Sequence, residues 1–158
     1  IGLKTEKDLE VWVKHKDSTT YKHLITYKFC RLSGDIGPKR RTGDGQVPEG
    51  FYYINVFNPY SSYVLSLGVS YPNQSDKSLG DKSNLGGDIY IHGGCATIGC
   101  IPITDDKIKE LYILACMARE VGQSKIPIYI FPMALTDNNM KRLSEYQRHL
   151  KNIKFWEI

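Results

Sequence analysis

Gly86–Asp106 reads GGDIYIHGGCATIGCIPITDD, and the rest of the chain is organised around it. Ile89-Tyr90-Ile91 is a short apolar run of strand type that ends in His92. A glycine-rich loop follows as far as Cys100, and Pro102 turns the chain towards a helix opening near Thr104. Gly93, Gly94 and Gly99 give the loop the backbone freedom to fold back. Folding back lays the histidine beside the cysteine. A thiol becomes a nucleophile in that setting, because the thiolate is the reactive species and a neighbouring imidazole can take its proton.

Downstream, Thr104 to Val121 is the clearest helix. Thr104 stands at the cap, Asp105 and Asp106 suit the positive end of the dipole, and Gly122 stops the run. Ile108, Leu111, Tyr112, Ala115, Ala118 and Val121 recur at helical spacing. Ile126–Phe131 reads as a strand. Thr136–Lys151 reads as a second helix with Met140, Leu143, Tyr146 and Leu150 on its apolar face, and Phe155-Trp156 is expected to pack back on the body.

Upstream, Leu9–Lys14 and Tyr21–Leu32 form a predicted hairpin joined through Lys16-Asp17-Ser18-Thr19. Phe51–Phe57 and Tyr63–Val69 are two further strands. Ser33–Gly50 is too long for a simple turn and suggests a functional loop over a sheet. Pro72–Gly87 is polar and irregular, and reads equally well as a solvated loop or a flap beside the site. About six strands and two helices, strands first, give a mostly β, α+β domain with helices packed at one side. A single domain over residues 1–158 is the expectation, with 136–158 as its C-terminal helix and tail.

Composition narrows the function classes. At 41% hydrophobic and 24% charged, the 158 residues make an ordinary globular chain, long enough to bury a core. The net charge of +4 comes from scattered residues, with Lys39-Arg40-Arg41 the one basic triplet. That is too dispersed for a nucleic-acid surface. Nothing approaches the run of about 18 apolar residues that would span a membrane. The chain opens on Ile1 rather than Met, so an upstream segment is expected to have been removed or to lie outside this sequence.

Four cysteines are too sparse for a disulfide scaffold. Cys30 and Cys116 read as small buried hydrophobes. His92, Cys95 and Cys100 also read as H-x2-C-x4-C, near zinc-ligand spacing but without a fourth ligand in sight. Cys95 is alternatively a second thiol, forming a reversible disulfide with Cys100.

His92-Gly93 followed by Thr97-Ile98-Gly99-Cys100 resembles the active-site segment of the L,D-transpeptidase (YkuD-type) catalytic domain, most closely its YafK-like branch. The likeness continues through Gly37-Pro38-Lys39, Gly43-Asp44-Gly45, Pro48-Glu49-Gly50 and Tyr71-Pro72-Asn73, over roughly residues 5 to 135. It implies a β-sandwich of mixed sheets with the nucleophile in a groove. It also implies acyl transfer on a peptidoglycan stem peptide, in an exported protein of the bacterial envelope or periplasm, without cofactor or metal and as a monomer. On this reading Cys100 is the nucleophile and His92 the proton acceptor and donor. The Gly93 carbonyl orients the imidazole, and the backbone around Gly99 faces the oxyanion. Thr97, Ile98 and Lys39 are candidate substrate contacts, although Lys39 and Asp44 read more readily as turn-shaping residues. Tyr53, Tyr63 and Tyr71 are expected in the sheet core. Ile98 stands where the common motif has a second histidine, a trait shared with the YafK-like branch. Hydrolysis of the same bonds is the alternative outcome, and a non-catalytic wall-binding domain the alternative class.

Overall fold

The computed structural model describes residues 1–145. Eight strands form one mixed sheet: β1 (Gly2–Leu3), β2 (Asp8–Val13), β3 (Lys22–Lys28), β4 (Gly50–Asn58), β5 (Ser66–Val69), β6 (Tyr90–His92), β7 (Ile101–Pro102) and β8 (Ile126–Phe131). Their order across the sheet is β3-β2-β1-β8-β4-β5-β6-β7. Three helices accompany them, α1 (Gln74–Leu79), α2 (Asp105–Glu120) and α3 (Asp137–Glu145).

Alternation decides which way each strand faces. In β4, Tyr52 and Ile54 point into the core while Phe51 and Tyr53 stay exposed. β8 is its antiparallel neighbour, with Phe51 opposite Tyr129, so Ile128 and Ile130 join Tyr52 and Ile54 inside. Leu9 and Tyr27 meet across β2 and β3 in the same way. One cluster gathers Tyr27 and Phe29 from one end of the sheet with Ile91, Ile101 and Ile103 from the other. Residues from both edges can share a core only if the sheet curls. The Cys30 N–H, just past β3, donates to the Pro102 carbonyl of β7 at 3.0 Å. The two ends of the sheet therefore meet at this point.

The expected hairpin, the β4 and β8 strands and the α2 helix are all present. Several details differ from the sequence reading. β1 and β7 are two residues long, below the length at which alternation can be read. The 63–69 strand is shorter than expected, because Val64 takes a left-handed φ of +71° and only Ser66–Val69 pairs. The polar 72–87 segment holds a third helix, α1. Asn73 accepts from the Asp76 N–H at 2.9 Å while the Asp76 carboxylate accepts from the Asn73 N–H at 3.0 Å, a reciprocal capping box. Thr104 precedes α2 but makes no side-chain cap. The α2 face is narrower than its spacing suggested: Ile108, Leu111 and Ala115 are buried, whereas Val121 is 85% exposed. α3 is described only to Glu145, so Tyr146, Leu150, Phe155 and Trp156 lie outside the described residues.

The long 33–50 loop is held by buried charge. Lys4, which follows β1, pairs with Glu49 at 3.0 Å, both inaccessible to solvent, and donates to the Gly37 and Val47 carbonyls. Asp44 accepts from the Arg40, Arg41 and Gln46 N–H groups and from the Lys39 ammonium. Lys39 and Asp44 thus shape the loop.

Candidate active site

β6 and β7 run parallel, with Ile91 opposite Ile101 and His92 opposite Pro102. Cys100 comes one residue before β7 and so stands level with Tyr90, whose N–H reaches the Cys100 Sγ at 3.4 Å. Paired residues of a parallel ladder share a face, and so do residues two apart on one strand. By register Cys100 continues the row of Tyr90 and His92, and its sulfur lies against the β6 backbone, where the thiol donates to the Asp88 carbonyl at 3.4 Å; Ile91 and Ile101 fill the core.

His92 is 3% exposed, and its Nδ1 lies 2.5 Å from the carbonyl of Gly93. A carbonyl can only accept, so Nδ1 carries the proton and Nε2 is left as the basic nitrogen. Gly93 is clamped in turn. Its N–H donates to the Tyr63 carbonyl at 3.1 Å, and the next N–H, of Gly94, donates to the Asp105 carboxylate at 2.7 Å. A Cβ on Gly93 would sit 2.6 Å from the Tyr63 carbonyl oxygen, so only glycine admits the approach.

The loop between histidine and cysteine closes on Thr97. Its hydroxyl donates to the Cys100 carbonyl at 2.7 Å and accepts from the Gly99 N–H at 3.2 Å. Gly99, at φ +137°, packs on the Gln46 carbonyl, where an added Cβ would come within 3.0 Å. Ile98 stands at the loop tip, 87% exposed. Burial pushes the Cys100 thiol above its ordinary pKa, and the neighbouring Asp88 adds to this; the Tyr90 N–H and the Lys39 charge oppose it.

The model of the YkuD family, described as the L,D-transpeptidase catalytic domain, matches residues 5–128. The chain belongs to that family. It is 37% identical over 98% of its length to an Escherichia coli K12 protein named "Putative L,D-transpeptidase YafK", and equally to the same protein of strain O157:H7. It spans about 60% of the length of these curated relatives. Among solved structures, the Campylobacter jejuni helical cell shape determining protein Pgp2 superposes with a TM-score of 0.64 at 23% identity, over 89% of this chain and 50% of that one. Bdellovibrio bacteriovorus Bd1075 gives 0.56 at 21%, over 99% and 54%. At such identities the two structures speak for the fold, an L,D-transpeptidase-like curled mixed sheet.

On this L,D-transpeptidase fold the residues singled out in the sequence separate into three groups. His92, Gly93, Thr97, Gly99 and Cys100 lie within one hydrogen-bonded strand–loop–strand unit. Lys39 does not open to the site: it is 4% exposed, with its ammonium on Asp44 and on the Arg41 carbonyl. The cysteines are paired otherwise than expected. Cys95 bonds to Cys30, not Cys100, and Cys30 is an exposed seam residue rather than a buried hydrophobe. Cys100 and Cys116 are free, both half-buried. The disulfide removes Cys95 from the H-x2-C-x4-C reading, and no three His, Cys, Asp or Glu side chains among the described residues are grouped to hold a metal ion.

Two of the three tyrosines also depart from expectation. Tyr71 is buried, but Tyr53 is 39% exposed, and Tyr63, 43% exposed, lies against His92 with ring centroids 4.4 Å apart. Sequence reasoning missed Tyr63 and Asp105 as site residues. Neither carries a sequence signal, since each reaches the His92 turn only through the curl of the sheet and the seating of α2.

Proposed function

We propose that the chain is a cysteine acyl-transfer enzyme acting on peptidoglycan stem peptides, as an L,D-transpeptidase, with Cys100 as nucleophile and His92 as general base and acid. The observation that carries the proposal is the His92 tautomer: Nδ1 is committed to Gly93, leaving Nε2 as the basic nitrogen in the strand–loop–strand unit that also holds the half-buried Cys100 thiol. Because burial holds that thiol protonated, His92 removes its proton during attack rather than from a preformed ion pair.

The Cys100 Sγ bonds to the carbonyl carbon of the donor amide and the S–H proton passes to His92 Nε2. The tetrahedral intermediate then expels the amine, which takes that proton, leaving a thioester. An incoming amine gives its proton to His92 and attacks the thioester carbonyl; the departing Cys100 sulfur takes that proton back, restoring the thiol and the neutral imidazole. Water at this second step gives hydrolysis instead.

The Gly99 N–H is engaged by Thr97, so the oxyanion role falls to the Cys100 N–H, and Gly99 serves by its close packing on the Gln46 carbonyl. Thr97 fixes the nucleophile's backbone, and exposed Ile98 offers an apolar lip to the peptide. The Cys30–Cys95 disulfide supports residence in an oxidising compartment such as the periplasm.

Intact mass after incubation with tetrapeptide muropeptides tests the reading. The wild type gains the acyl mass and Cys100→Ala does not; product analysis then separates transfer from hydrolysis. An adduct on both proteins rejects Cys100 as nucleophile; no adduct on either and no product released rejects acyl transfer from muropeptide.

A further inference from the structure

We propose that Tyr63 is a positioning residue of this active site, which holds the His92 imidazole in its reactive orientation through one face of the ring. The inference rests on the reading of His92 as general base.

Three contacts converge on this one residue. Its ring lies over the imidazole, with centroids 4.4 Å apart and planes inclined by 30°, close to an offset stack. Its carbonyl accepts the Gly93 N–H at 3.1 Å, and Gly93 is the residue whose own carbonyl takes the His92 Nδ1 proton. Its ring edge also stands over the next glycine, within 3.1 Å of where a Cβ on Gly94 would lie. Tyr63 therefore bounds both the plane of the imidazole and the peptide that fixes its tautomer. Asp105 holds the Gly94 N–H, so the His92-Gly93-Gly94 segment is held by two elements.

The backbone that presents Tyr63 is itself costly. The Leu65 N–H returns to the Tyr63 carbonyl at 2.9 Å around Val64, a β-branched residue at φ +71°. Such a tight turn is rare for a β-branched residue and persists where the surroundings over-determine it. It places the Tyr63 carbonyl where it takes two N–H groups, from Leu65 and from Gly93, and sets the ring on His92. The ring itself does not serve the core, being 43% exposed. The ring also shields one face of the imidazole from water, which keeps the Nδ1–H bond to Gly93 undisturbed.

The decisive comparison sets wild type beside Tyr63→Leu, Tyr63→Phe and His92→Asn. Two readouts are taken: the imidazole NH resonances and tautomer of His92 by nitrogen-15 NMR, and the rate of Cys100 acylation by tetrapeptide muropeptide. Wild type should show a slowly exchanging, Nδ1-protonated imidazole. In Tyr63→Leu, which keeps apolar bulk but not the planar stack, that resonance should broaden or split between tautomers. Its kcat should fall by roughly tenfold or more with little change in KM, as expected when a reacting group loses alignment. Tyr63→Phe keeps the ring and should restore both the resonance and the rate. A Tyr63→Leu spectrum unchanged at His92 overturns the proposal, whatever happens to the rate. So does a Tyr63→Phe variant as impaired as Tyr63→Leu, which would point to the hydroxyl. Full acylation by His92→Asn would instead remove the general-base reading itself, independently of the tyrosine result. The NMR readout needs no turnover, so it decides the positioning claim even if muropeptide is not the substrate.

Discussion

At the Cys100 sulfur, burial and the neighbouring Asp88 outweigh the Tyr90 N–H and the Lys39 charge, and the thiol titrates above its ordinary value. A raised pKa means less thiolate at neutral pH, so alkylation of the free enzyme should be slow near pH 7 and climb as pH passes the raised value. Iodoacetamide labelling of Cys100 against pH, with half-buried Cys116 replaced by serine to isolate the signal, should give a midpoint above that of an unburied cysteine. A plateau already reached at neutral pH would mean a preformed thiolate–imidazolium pair and would remove the general-base step.

Among the elements, the loop from His92 to Cys100 depends on a bond to a distant edge of the sheet. The Cys30–Cys95 disulfide, spanning 65 positions of sequence, fastens this loop to the end of β3 beside the Cys30–Pro102 hydrogen bond. Chain-entropy arguments give a link of that span about 4 kcal/mol. Cys30→Ser with Cys95→Ser should therefore lower the free energy of unfolding in urea by about 2–5 kcal/mol. Mild reduction should do the same to wild type while leaving Cys100 a thiol. An unchanged urea midpoint in the double variant would show that packing and the backbone hydrogen bond to Pro102 hold the seam without the disulfide. Disulfide connectivity is not legible from four isolated cysteines. The pairing follows from the curl that brings the two edge strands together, and no local pattern encodes that curl.

Over the whole molecule, the 33–50 loop is joined to the sheet by the Lys4–Glu49 pair rather than by apolar contacts alone. Burial pushes the Lys4 ammonium down and Glu49 pulls it back up. Removing one partner leaves the other charge buried without its counterion, at a cost of about 3–5 kcal/mol. Glu49→Leu should show that loss in chemical unfolding. The Lys4→Met, Glu49→Leu double variant should lose less than the two single changes summed, because the singles share one interaction. Additive losses would mean that the pair acts mainly through its separate backbone contacts to Gly37 and Val47.

The sequence by itself determined the strand and helix types wherever periodicity ran long enough, as in β2, β4, β8 and α2. Alternation and helical spacing are local consequences of burying one face. It also placed His92 and Cys100 on one local unit, because glycines at 93 and 99 mark backbone that must approach other chain closely. The tertiary structure alone decided the rest. Two-residue strands are too short to carry a period, and β1 and β7 exist only because partners lie beside them. Tyr63 reaches His92, Asp105 reaches Gly94 and Cys95 reaches Cys30 across the fold. Lys39, plausible as a substrate contact from its charge, is turned inward onto the Asp44 carboxylate and the Arg41 carbonyl. Contacts between residues far apart in the chain are selected by the closing of the sheet, and that closure is a property of the whole core.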